Sequence, residues 1–158
     1  MRHAITVGFR FGLTSAVVTT LGLMVGLYST TRSGLVVIGG ILTIAIADAF
    51  SDALGIHISE ESENVHSISQ VWIATISTFL AKFIFSSSFI IPVLIFNLNT
   101  AIVINIIWGL CVLIFVSYKI SKEQQANPWK VIFEHLLIAL TVIIITHQLG
   151  HWISARFS

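Results

Sequence analysis

The sequence predicts an all-α, polytopic membrane protein with five transmembrane helices, its N-terminus inside and its C-terminus outside. Three observations carry that prediction. Of 158 residues, 56% are hydrophobic and 9% are charged. A soluble domain has about 25% charged residues, so most of this outer surface must face lipid. The mean hydropathy is +0.96. Five apolar runs approach or exceed the about 20 residues needed to cross a hydrocarbon core of about 30 Å. They are too long and too continuously apolar to be the alternating strands of a barrel.

The first run, about 11–28, follows Arg2 and Arg10 as a signal sequence would. It is longer than an h-region and lacks a small-residue cleavage site, so it reads as a retained helix. Gly8, Gly12, Gly22 and Gly26 form two G-x-x-x-G pairs along it, and Gly39–Gly40 lie in the second run, about 35–56. Close packing of these two spans is expected. The third run, about 71–96, carries Pro92 after Ser86–Ser87–Ser88, which predicts a kink. Asn97 and Asn99 mark a tight loop before the fourth run, about 101–118. In that run Asn105 is expected to hydrogen-bond between helices, and Cys111, which has no disulfide partner, reads as a buried small hydrophobe. The fifth run is about 131–153, and Trp72, Trp108, Trp129 and Trp152 include interface anchors. The expectation is a single transmembrane domain over 1–158, with an acidic link at 57–69.

Orientation follows from Lys and Arg between the spans. With the N-terminus inside, Arg2, Arg10, Lys119, Lys122 and Lys130 are cytoplasmic, while Arg32 and Arg156 are outside. A net charge of +1 offers no field for nucleic acid. No G-x-S-x-G, H-E-x-x-H or phosphate loop is present, and both intramembrane aspartates lie on one span, so the chain does not read as an enzyme.

Asp48 and Asp52 are the informative residues. Asp48 falls within about 3 Å of the middle of the second run and Asp52 about 9 Å towards the cytoplasm. At i and i+4 they share one face. An acidic residue at this depth costs about 2.5–3.5 kcal/mol on insertion scales, which marks a residue facing a partner or a cavity. At 100° per residue Ser59 and Glu63 continue the stripe to the cytoplasmic mouth. Oxygen ligands suit Mg²⁺, Mn²⁺ and Fe²⁺, and His57 and His66 would add nitrogen. Lys82 in the third run can instead neutralise an aspartate, which gives a structural reading of the same residues or a coupling charge. His147 and His151, again i and i+4, and Glu134 and His135 read as interfacial residues.

The stretch Ser15–Ala16–Val17–Val18–Thr19–Thr20–Leu21–Gly22–Leu23–Met24–Val25–Gly26 resembles the first-helix pattern of the vacuolar iron transporter family. More specifically, Gly40 to Glu63, with Ala47–Asp48–Ala49–Phe50–Ser51 and the run to Ser62–Glu63, is similar to that family's second-helix signature. Weaker likeness continues through Ala74–Thr75, Pro92, Asn127–Pro128 and Thr146–Gly150, so it covers nearly the whole chain. The resemblance implies a five-helix homodimer that exports Fe²⁺ or Mn²⁺ from the cytosol in exchange for protons. The chain departs from the pattern at Ser15, where the family has aspartate, at Asp52, where it has methionine, and at Ile56, where it has glutamate. The long cytoplasmic metal-binding insert of many members is reduced to the short link. A carboxylate in place of a thioether hardens the site towards Mn²⁺ or Mg²⁺.

The expected function is therefore export of a divalent transition metal, with no permanently bound cofactor. Asp48, Asp52, Glu60 and Glu63 are candidate metal ligands, and Ser15, Lys82, Glu61, His57 and His66 are further metal or coupling residues. The alternative is a membrane interaction protein that keeps the fold and has lost the site. Expected partners are the ion, the lipid bilayer and a second copy. Small size and minimal loops point to a prokaryotic plasma membrane.

Overall fold

The computed structural model describes residues 1–63 and 65–157; Asn64, in the expected acidic link, and Ser158 lie outside the described residues. Among the described residues, five helical spans are long and apolar enough to cross a membrane. The first is α1 (Arg2–Thr31). The second is α2 (Gly34–Thr43), one wide π-helical stretch (Ile44–Asp48) and α3 (Ala49–Ser62). The third is α4 (Ile68–Ser88) with the short α5 (Ile90–Ile95) after it, the fourth is α6 (Leu98–Glu123), and the fifth is α7 (Pro128–Phe157). The helices outrun the apolar runs because polar end residues such as Glu60, Glu61 and Lys122 continue a helix once it leaves lipid. The expected link at 57–69 is correspondingly shorter: α3 continues through Ser62, and α4 begins at Ile68.

The connections are fixed by local chemistry. Arg32 ends α1 in the left-handed region at φ 52°, and its guanidinium stacks 4.2 Å from the Tyr28 ring. The Ser33 hydroxyl caps α2 by accepting from Val36 N–H. Ser67 and Gln70 form a reciprocal capping box at the start of α4. Asn97 caps α6 by accepting from Thr100 N–H at 3.1 Å, and Asn99 accepts from the Tyr28 hydroxyl at 2.8 Å. The expected kink falls at Phe89, between α4 and α5, three residues before Pro92. Pro92 has no N–H to give the preceding turn.

α1 is the centre of the bundle and touches every other span. Its Leu13, Val17, Leu21 and Met24 pack with Val37 and Ile41 of α2, Phe89, and Val112, Leu113 and Val116 of α6. The glycine pairs act differently from expectation. Gly8 and Gly12 lie against the backbone carbonyls of Ala74 and Thr78 on α4, where a side chain has no room, while Gly22 faces Val142 on α7 and Gly26 lies beside Thr146. Only Gly40 serves the first-to-second contact, against Leu23 and Leu27; Gly39 faces open space. Asn105 is fully buried and donates to the Phe89 carbonyl at 2.9 Å, the interhelical bond the sequence leads one to expect. Cys111, by contrast, is exposed on the outer face of α6, because an apolar residue on a lipid-facing surface needs no protein cover. All four tryptophans are exposed.

Candidate functional site

The close approach of α1 and α4 puts the middle of each helix beside the middle of the second span. Ser15, Asp48 and Lys82 all lie near the midpoints of their spans. Lys82 is completely buried. Its ammonium stands 2.5 Å from Asp48 Oδ2 and 2.5 Å from Asp52 Oδ2, and it donates to Ser15 Oγ at 2.8 Å. Asp52 accepts a hydrogen bond, whereas the Asp48 contact is an ion pair off the hydrogen-bond direction. The Asp48 side chain remains 33% exposed and that of Asp52 18%. One turn beyond, Thr20 donates to Ser86 Oγ at 3.0 Å, a second buried polar link between α1 and α4.

The i, i+4 spacing thus brings both carboxylates to one cation. The π-helical stretch ends at Asp48, immediately before α3. A wide turn inserts an extra residue and re-aims the side chains beyond it, and such turns recur at functional sites. Phe50, Phe79 and Phe83 form a ring contact series beside it, with centroids 4.6 and 5.9 Å apart. On the other side Ser15 lines a cleft of about 240 Å³ with Thr14, Thr19, His135 and Leu113. His135 Nδ1 lies 2.6 Å from Ser117 Oγ, and that hydroxyl already donates to the Leu113 carbonyl. The Ser117 hydroxyl is thus shared between the His135 ring and the Leu113 carbonyl.

The expected stripe of Asp48, Asp52, Ser59 and Glu63 does not stay covered to the mouth. Ser59 and Glu63 are exposed, as is Glu61. Glu60, on the face of Ala49 and Ala53, is buried instead, and its Oε2 lies 3.1 Å from His66 Nδ1. His3 of α1 packs near the His66 ring with centroids 6.2 Å apart. His57 gives a separate contact: its Nδ1 lies 3.0 Å from Thr75 Oγ1, and its ring meets the Trp72 edge. Among the described residues no three His, Cys, Asp or Glu side chains converge to hold a metal ion. The four expected ligands are thus divided between the Lys82 cluster, the Glu60–His66 pair and the exposed turn at Glu63.

His3 and the pairing of His135 with Ser117 are not legible in the sequence: no spacing rule points to either, since each partner lies on a different helix. The chain matches no family model, no curated protein and no solved structure.

Proposed function

We propose that this chain is a membrane transporter that exports a divalent transition metal, Fe²⁺ or Mn²⁺, from the cytoplasm in exchange for protons. The observation that carries the reading is the fully buried Lys82 ammonium seated between Asp48 and Asp52 at mid-span. One ammonium against two carboxylates leaves the cluster one positive charge short of neutrality in a medium where charge is costly. A proton supplies it; a divalent ion brings two charges and balances both carboxylates only when the Lys82 ammonium is displaced. Lys82 then acts as a resident cation that yields a carboxylate when the ion arrives, and Ser15 offers a further oxygen. Carboxylate and hydroxyl oxygens suit Mn²⁺ and the harder divalent ions.

The likeness of Gly40 to Glu63 to the vacuolar iron transporter signature supports the same reading, as do the Lys and Arg positions for an N-in, C-out orientation. Glu60, His66 and His57 would meet the ion at the cytoplasmic end. A homodimer would cover the partly exposed Asp48, and the small loops favour a prokaryotic plasma membrane. A second reading, a membrane interaction protein without transport, is favoured by the closure of both aspartates on Lys82.

Proteoliposomes separate the two. Uptake of Fe²⁺, Mn²⁺, Co²⁺, Zn²⁺ and Mg²⁺ is followed with a pH dye inside, for wild type and the Asp48→Asn/Asp52→Asn variant. Uptake lost in the variant, with protons moving oppositely, supports the exporter. A folded wild type that moves no ion under either pH gradient sinks it in favour of the interaction protein.

A further inference from the structure

At the opposite end of the bundle from Glu60 and His66, α7 places His147 and His151 one turn apart. Their rings are in edge-to-face contact, with centroids 4.6 Å apart. Two imidazoles on one tetrahedral ion, with metal–nitrogen bonds of about 2.0–2.1 Å, put their centroids roughly 5 Å apart. The rings are therefore already near the separation a shared ion requires. The same i, i+4 spacing puts both histidines of H-E-x-x-H on one zinc ion; here Gln148 stands where that motif has its general base, which fits binding without hydrolysis.

The first ring is also oriented from outside its own helix. His147 Nδ1 lies 2.7 Å from the hydroxyl of Ser29, a buried residue of α1. Metal-bound histidines are held in this way, with one ring nitrogen occupied by an outer partner and the other turned to the ion. The rotation of α7 that seats His147 on Ser29 is fixed by Gly150. A side chain at Gly150 would meet the Gly26 carbonyl at 2.6 Å and the Ser29 Cβ at 2.7 Å. His151 is exposed, and its ring already lies against that of His147.

We propose that His147 and His151 form a bis-imidazole site for a divalent transition metal of the Zn²⁺, Cu²⁺ or Ni²⁺ type, completed by water and oriented by Ser29. Imidazole selects these ions over Mg²⁺ and Ca²⁺, which take oxygen. The site stands independently of the Lys82 cluster, so it holds whether or not Asp48 and Asp52 carry an ion.

The test uses the full chain in detergent with Cu²⁺ as the spectroscopic probe and Zn²⁺ in titration calorimetry. Wild type is expected to show an electron paramagnetic resonance signal split by two imidazole nitrogens. His147→Gln and His151→Gln should each lose that two-nitrogen signal. Ser29→Ala should weaken Zn²⁺ by about tenfold while keeping both nitrogens, as loss of an outer partner does. Asp48→Asn/Asp52→Asn should leave the signal unchanged, which separates this site from the exporter reading. A two-nitrogen signal that survives both histidine substitutions, or wild type binding Zn²⁺ no more tightly than the His147→Gln/His151→Gln variant, overturns the proposal.

Discussion

Gly12 of α1 rests directly against the backbone carbonyl of Thr78 on α4, with no room for a side chain between them. That contact, repeated at Gly8 and Ala74 one turn earlier, draws the two helices together and walls in Lys82. In lipid the gain from such close approach is van der Waals contact, because burying apolar surface from hydrocarbon brings nothing.

Gly12→Ala is therefore expected to destabilise the chain, by about 1–3 kcal/mol if it behaves as an overpacked core. Gly39→Ala is the control, since Gly39 meets nothing within 4 Å. There the better helix propensity of alanine, worth about 0.5–1 kcal/mol, should be neutral or favourable. Thermal unfolding in detergent compares them, and a Gly39→Ala loss equal to that of Gly12→Ala would show that the α1–α4 approach is not what matters.

Lys82→Met should be far more damaging than either glycine change. Removing one partner of a buried ion pair strands the other, typically at about 3–5 kcal/mol. Two carboxylates are stranded here, although each keeps some exposure. Adding Asp48→Asn and Asp52→Asn to Lys82→Met should restore most of the lost stability, since no charge is then left unpaired. A triple variant as unstable as Lys82→Met alone would mean that Lys82 acts through packing and not through its charge.

Three simple quantities make the Asp48–Asp52–Lys82 cluster legible in the sequence: helix rise, which puts Asp48 at mid-span, the i, i+4 spacing, and the cost of charge in lipid. Other features obey rules that are not written in one helix at a time. Glycine spacing says that a neighbour comes close but not which neighbour, so Gly8 and Gly12 suggest an approach to the second span whereas they serve α4. Hydropathy ends where lipid ends, and α3 does not. Ser59 and Glu63 keep the angular register of the aspartates yet run past the covering helices, while Glu60 turns into the bundle towards His66. The wide turn at Ile44–Asp48 has no compositional mark beyond its small residues.

If Lys82 is an exchangeable cation, then weakening it should sharpen the response to metal. A ligand that binds only the folded state stabilises it by RT ln(1 + [L]/Kd), about 2.7 kcal/mol at a hundred times Kd. Mn²⁺ is expected to raise the melting temperature of wild type and to raise that of Lys82→Gln by more. Asp48→Asn should reduce the effect. Equal Mn²⁺ shifts in all three proteins would place any bound metal elsewhere in the chain.

Asn105 offers a final test, of how the third span is held at its break. The residue is fully buried, and its amide donates to the Phe89 carbonyl at 2.9 Å, with Met24 Sδ 3.2 Å away. Phe89 sits at the junction of α4 and α5 and is itself buried. Asn105→Leu keeps the volume but withdraws the donor; since the Phe89 carbonyl keeps its place as the first acceptor of α5 and Asn105 Oδ1 has no partner of its own, the cost should be that of one net hydrogen bond, about 0.5–1.5 kcal/mol. Asn105→Asp should cost more, because an acceptor then faces that carbonyl and an ionised carboxylate at a fully buried position is costlier still. Thermal unfolding ranks the three proteins; Asn105→Leu matching wild type would show that the α4–α5 junction is set by Pro92 alone.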